Sequence, residues 1–390
     1  MPAGPSPSPR PPLPPLLDHH CHSVLVADLP PEAFGDLLTE SDRPPAPGAG
    51  PFVRFDSLLG LAVRRWCPPA LGLPAHATAA DYLARRRALG PPEATRRLLA
   101  AAGLGTLLVD TGLTSAAGHP LLPLPELATA AGAAVREVVR LESVAEALAG
   151  RAPAAADWPA ALREALAAER TAADAIAVKS VLAYRHGLAI PAEPPTRAET
   201  VRAAARLLAA GPPARLTDPV LLRHLLHTAV DLCAQHAPPL PLQLHTGFGD
   251  PDLTLHQADP ALLTPFIRAV EPTGVPLVLL HAYPYHRQAG YLTQAFPHVH
   301  ADTGLTLGHT GARAATVLGE LLELAPFGKV LFSTDGYGLP ELHLLGAAQF
   351  RHALSTLLTA WQADGACTPA DATRLAHLLA ADNARALYGL

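Results

Sequence analysis

No Cys-x-x-Cys pair occurs in this chain, and its four cysteines, Cys21, Cys67, Cys233 and Cys367, are scattered. That spacing argues against a disulfide scaffold or a structural zinc cluster and suits a reducing, cytoplasmic setting. Charge is scarce: 16% of residues are charged, and the net charge is −5. With no basic patch or Lys/Arg-rich stripe, a nucleic-acid partner is not expected. No apolar stretch reaches the ~18–20 residues of a membrane helix, so a membrane partner is not expected either. The first fifteen residues, MPAGPSPSPRPPLPP, lack the apolar region of a secretory leader and read as a flexible Pro-rich tail, 1–15. The 43 prolines among 390 residues are roughly twice the usual ~5%, and beside so much Ala and so little Lys they reflect genome composition.

What is abundant is apolar residue, at 49%, enough for a large core. Short apolar runs alternate with longer helical patterns almost to the C-terminus. Candidate strands fall at 16–22, 105–110, 135–141, 175–182, 240–246, 276–281, 297–302 and 329–334. Amphipathic stretches lie between them at 78–101, 160–174, 197–210, 218–236, 258–271, 287–296 and 312–325, with further helices near 341–363 and 369–388. Such alternation implies βαβ units and a parallel sheet. Eight repeats favour an α/β fold closed as a (β/α)8 TIM barrel, taken as one domain over 16–390. An open doubly wound sheet is disfavoured, because no G-x-G-x-x-G follows the first strand. The first connection, of about 80 residues, is far longer than a usual βα loop. It reads as an insertion over 30–101: loop from Pro30 to Pro51, then helices from Phe52 to Ala101. Leu58, Leu59, Leu61, Ala62 and Trp66 are too apolar for a solvated loop, so these helices are expected to cover the barrel mouth or a second subunit. A homo-oligomer is expected.

His20 and His22, in LLDHHCHS, end the first apolar run. On a strand, residues i and i+2 share a face, so both imidazoles can reach one divalent metal. Among 19 histidines a lone His-x-His carries little weight. Four more potential ligands, however, also close short apolar runs: Lys179, His245, His281 and Asp335. A barrel points the C-terminal ends of all its strands at one face, and buried ionisable groups need partners or metals. Around this set, Gln243 shares a face with His245 one layer deeper. Arg185, six residues after Lys179, is a candidate partner for a substrate carboxylate, and Tyr283 opens a loop able to line the pocket. Glu142 and Asp302 sit at strand ends; Asp302 suits orienting a ligand better than being one. His119, His224, His227, His298, His343, His352 and His377 read as ordinary.

The order H-x-H, Lys, His, His, Asp on strands one, four, five, six and eight resembles the amidohydrolase superfamily. The stretches LLDHHCHS, LLVDTGL, VKSVLAYRHGL, PLQLHTGFGD, LLHAYPYHRQAGYL, KVLFSTDGYGLPE and DNARALYGL resemble the branch found as the N-terminal part of nodulin/FluG-type fusions to glutamine synthetase. The matching phrases run to Leu390, and an attached glutamine synthetase domain is not expected. The resemblance implies that His20, His22, His245 and Asp335 hold a divalent metal, zinc foremost with manganese as an alternative. Asp335 would also accept a proton from water, and His281 would bind a second metal or polarise a carbonyl. Lys179 would be carboxylated and bridge two metals, be neutral, or turn away, since an ammonium is repelled by a metal cation. The implied activity is hydrolysis of an amide C–N bond in a small molecule, with γ-glutamyl amides as candidates by association. A metal-dependent decarboxylase of a small acid is the enzymatic alternative. A non-catalytic barrel serving as a binding or regulatory partner is a different class, disfavoured by the complete ligand set.

Overall fold

A computed structural model describes residues 13–211 and 215–390; the expected tail lies outside them up to residue 12. Seven parallel strands form one sheet in chain order: β1 (Leu16–Cys21), β2 (Leu104–Asp110), β5 (Ala134–Arg140), β6 (Ala177–Ser180), β7 (Leu242–Thr246), β8 (Leu277–His281) and β9 (Val299–Ala301). The remaining two, β3 (Ser115–Ala116) and β4 (His119–Pro120), make a small antiparallel hairpin after β2. Apolar residues face both ways from the sheet. One side packs under the surrounding helices. The other forms an inner cluster of Leu17, Leu108, Val138, Val278, Leu280 and Leu331, closed by Ala381, Ala384 and Tyr388 near the C-terminus.

The expected eighth strand, 329–334, is not a regular strand. Phe327–Lys329 is a 3-10 turn, and only one parallel bridge, Ala301 to Val330, joins the segment to β9. The Asp18 carboxylate takes the Thr334 N–H at 2.9 Å, where a ladder would use a carbonyl. The extended segment still spans both sheet edges. Leu331 N–H donates to the Ala301 carbonyl, His19 N–H to Phe332, and Asp335 N–H to His20. The sheet therefore curls as in a TIM-barrel-like fold.

The long first connection carries α1 (Pro31–Asp36), α2 (Leu58–Ala70), α3 (Ala79–Leu89) and α4 (Pro91–Ala102). Proline at the first position starts α1 inside a stretch read as loop, and Gly90–Pro91 splits the expected helix 78–101 in two. Their placement differs from the expected lid. α4 and α2 both pack on the helix Pro340–Ala363 in the outer layer, with Leu59 and Ala62 buried there and Leu58 and Leu61 exposed. Trp66 donates from its indole to Gln349 at 3.0 Å. No residue of 52–101 lines the main cavity; residues between Ala33 and Pro44 do. Apolar content identified a packing face but not its partner.

Candidate metal centre

His20 and His22 stand where β1 ends, and a register irregularity between Asp18 and Cys21 lets the strand turn consecutive side chains inward. His19 points down the barrel, with Nε2 at 2.8 Å from Asp302 and Nδ1 at 3.1 Å from the Tyr388 hydroxyl. His20 points up: its Nε2 lies 3.1 Å from Asp335 Oδ1, and His22 Nε2 lies 3.6 Å from the same oxygen. His281 Nε2 is 3.3 Å from Asp335 Oδ2. Strand alternation, with Val278 and Leu280 inside, would aim His281 outward. Its φ of 67° turns it into the site instead, and Asp335 has φ 50°. Non-glycine residues hold such angles at a cost of order 1–3 kcal/mol, and they concentrate at functional sites. Gly304 makes room, since a Cβ there would sit 3.0 Å from His281 Nδ1.

The hydrogen bonds fix which ring nitrogen is free. His20 Nδ1 meets the Gln243 amide oxygen at 2.9 Å, and His22 Nδ1 meets the Asp110 carbonyl at 3.0 Å. Both partners only accept, so Nδ1 carries the proton and Nε2 offers a lone pair. His245 Nε2, both nitrogens of His281 and Asp335 Oδ1 are buried with no hydrogen-bond partner. Burial holds His20, His245 and His281 well below the ordinary histidine range and takes His22 down to about 3, so all four imidazoles stay neutral. Burial also pushes the Asp335 carboxyl up to about 7. Neutral nitrogens and a carboxylate aimed at one point, with lone pairs unspent in a buried site, fit a divalent cation. His20, His281 and Asp335 form one such group; His20, His22 and Asp110 form another. Asp110 is committed elsewhere: it takes Lys179 Nζ at 2.9 Å and Arg140 through Nε and Nη2. Burial raises its pKa, but the Lys179 and Arg140 cations outweigh that and hold the carboxyl well below its usual range.

The sequence-expected residues thus divide. His20, His22, His245, His281, Lys179 and Asp335 gather at one end of the sheet, and all but the fully buried His20 line a cavity of about 950 Å³. Arg185 lines it too, beside Glu146 at 3.3 Å. Gln243 does not. Fully buried, it spends its amide on His20, the His19 carbonyl and the Tyr388 hydroxyl. Tyr283 also lies outside the lining, stacked on His286 with ring centroids 5.5 Å apart. Sequence reasoning missed Asp110, Arg140 and Tyr388. An acid ending the run LLVD and an arginine near the end of the candidate strand 135–141 were available signals, and Tyr388 lay in the stretch DNARALYGL without a role. Asp302 accepts the His281 backbone N–H and bonds His19, so it orients ligand-bearing backbone.

The amidohydrolase family model matches residues 119–390, well over half the chain. The chain belongs to the amidohydrolase family. This amidohydrolase is 35% identical to the protein fluG of Emericella nidulans over 223 residues, which cover 55% of the chain and 26% of fluG. The match therefore spans about a quarter of that protein. A solved Lactobacillus casei structure, provisionally described as a metal-dependent hydrolase, aligns with TM-score 0.84 at 27% identity, covering 97% of this chain and 96% of that one. A uronate isomerase from Bacillus halodurans aligns with TM-score 0.65 at 12% identity, covering 96% and 93% respectively, which speaks for the fold alone. No helix among the described residues is long and apolar enough to cross a membrane.

The Gln243–Tyr388 pair beneath His20 yields a prediction. Tyr388→Phe removes the hydroxyl that Gln243 Nε2 and His19 Nδ1 share, so metal affinity should fall roughly 10–100-fold, as for other outer-shell partners. Competition with a chelator of known affinity measures it.

Proposed function

We propose that this chain is a metal-dependent hydrolase cleaving an amide C–N bond of a small molecule, γ-glutamyl amides being the first substrates to try. One observation carries the reading: neutral imidazoles and the Asp335 carboxylate converge, lone pairs unspent, at the floor of an open cavity. His20, His22, His245 and Asp335 would hold zinc, or manganese, and His281 would hold a second ion or face the substrate carbonyl. A divalent cation there supplies Lewis acidity, polarising a carbonyl and lowering the pKa of water. The residues do the rest. Asp335 accepts the proton of the attacking water and returns it to the leaving nitrogen, a role open to an ionised carboxylate at the cavity floor. His281, neutral, orients the carbonyl; Arg185 and Tyr283 are proposed to contact the substrate, and Gln243 to position His20. Lys179 acts as an ammonium paired with Asp110, the arrangement its 2.9 Å contact supports; carboxylated, it would bridge two ions.

The same reading takes 16–390 as one closed eight-segment barrel, with residues 33–44 as the cover of its mouth. The protein is proposed to be cytoplasmic and homo-oligomeric. The test is elemental analysis of protein purified without added metal, followed by assays on a panel of γ-glutamyl amides. Zinc or manganese at one or two ions per chain, with turnover lost on chelation and restored by metal, is the expected result. Carbon dioxide release from small acids with no amide cleavage would favour the decarboxylase instead. Full turnover in metal-free protein would overturn both.

A further inference from the structure

In the deep wall of the cavity two cations share one buried acid, with the Asp335 carboxylate in the same lining. Arg140, at the end of β5, and Lys179, in β6, both line the cavity. Both pair with the single carboxylate of Asp110, which lies fully buried behind them. Arg140 binds it through Nε at 3.1 Å and Nη2 at 2.7 Å, and none of these bonds uses Nη1. The two side chains are only 10% and 4% exposed, so both cations sit in a poorly solvated place. Arg185 adds a third cation on the same side, its Nε buried without a partner and its Nη2 3.3 Å from Glu146.

The acids on the outer rim have nearer partners than Arg140. Asp42 pairs with Arg43 at 3.1 Å, Asp36 with Arg54 at 3.5 Å, and Glu40 with His309 at 3.3 Å. Asp250, after β7, accepts the Asp252 N–H.

The guanidinium is also held in place by the backbone. A Cβ on Gly112 would lie 2.2 Å from Arg140 Nε, so only glycine lets the guanidinium lie flat on that turn. Gly112 N–H in turn donates to Asp110 Oδ1 at 2.8 Å. From the metal-facing His20 Nε2, the path to Arg140 runs through Lys179 Nζ at 3.4 Å and then Asp110 Oδ2 at 2.9 Å. A molecule of a few carbon atoms spans that interval.

We propose that Arg140, seated on Gly112, is the specificity-determining residue for a substrate carboxylate. The reactive group lies at the His/Asp centre, and the carboxylate a few bonds away meets Arg140 Nη1, with Lys179 and Arg185 flanking it. Guanidinium is suited to this, being permanently charged and geometrically matched to a carboxylate. The inference rests on the hydrolase reading for where the reactive group sits, and it narrows the substrates to small carboxylic acids. A γ-glutamyl amide satisfies it; a neutral amide does not.

The test is calorimetric binding of succinate and of succinamide to the purified full chain, whose metal content is measured first. Succinate should bind at least about tenfold tighter, the effect of one charge-assisted contact. Arg140→Gln should erase that ratio. Gly112→Ala should erase it as well while leaving metal content unchanged, because it displaces the guanidinium without removing charge. A ratio near one in the wild type, or a ratio preserved in both variants, overturns the proposal. So does a ratio that survives Arg140→Gln but disappears on chelation, since the carboxylate would then sit on the metal. Inorganic phosphate binding as tightly as succinate, and lost in both variants, would overturn the carboxylate assignment in favour of a general anion site. Protein that keeps the ratio but shows no metal-dependent turnover of γ-glutamyl amides would overturn the hydrolase reading and leave this one standing; metal-dependent turnover with a ratio near one would do the reverse.

Discussion

His20→Ala combined with His22→Ala is expected to abolish metal retention and turnover while leaving the fold standing. These residues supply two of the lone pairs directed at Asp335, at 3.1 and 3.6 Å. Their Nδ1 atoms are fixed by Gln243 and the Asp110 carbonyl, so the wild-type rings reach the site already oriented. Losing a ligand should cost more than the roughly 10–100-fold that losing an outer-shell partner costs, and losing two should remove the ion. The fold has other support, because β1 keeps its ladder to β2 and the backbone bonds of His19 to Phe332, His20 to Asp335 and His22 to Gly336 remain. The penalty on stability is the orphaned Gln243 oxygen and the space left behind, on the order of 1–3 kcal/mol for an unsatisfied buried group. Elemental analysis beside a thermal melt checks both halves. A double variant that retains full metal would show that the ion sits elsewhere.

Much of this site was legible in the sequence because a parallel barrel converts position in the chain into position in space. His20, His22, Lys179, His245 and His281 each end or follow an apolar run, and strand direction brings such ends together. Asp335 was legible for the same reason, although its segment is no regular strand. There VLF has strand propensity, but the Asp18 carboxylate captures the Thr334 N–H and Asp335 turns to φ 50°. That is tertiary chemistry, and a local pattern does not carry it. Gln243 was read one layer below His245 and is buried, but it does not line the cavity, because its amide is spent on His20, the His19 carbonyl and the Tyr388 hydroxyl, 145 residues away. The cavity cover was misplaced for a related reason. Pro- and Gly-rich composition announces a loop over 30–51 without saying where it lies, and the apolar residues of α2 announce burial without naming the helix Pro340–Ala363 as the surface they meet.

Asp335→Asn should lower kcat by about 10²–10⁴-fold, the usual worth of a positioned proton acceptor, while leaving residual metal binding through the amide oxygen. The pH dependence separates its two roles. In the metal-free chain, burial lifts this carboxyl from its ordinary 3.8 to about 7. Below pH 7 it carries a proton that a divalent ion must displace, so apparent metal affinity should fall about tenfold per pH unit and one proton should be released on binding. Above pH 7 the carboxylate is already ionised, and affinity should level off. The imidazoles contribute no such slope near neutrality, because burial already holds them neutral, His22 down to about 3. The same sign governs stability. A folded carboxyl with a raised pKa favours the metal-free fold at low pH, and that advantage drains away as pH rises from about 4 to about 7. The Asn variant has no proton to lose, so its metal affinity should be flat across pH 5–8 and its metal-free form more stable than wild type above pH 7. Calorimetric metal titration in two buffers of different ionisation enthalpy measures the proton count directly. A wild-type slope that persists in Asp335→Asn would assign the titrating group to another residue, and near-wild-type kcat in that variant would place the base elsewhere.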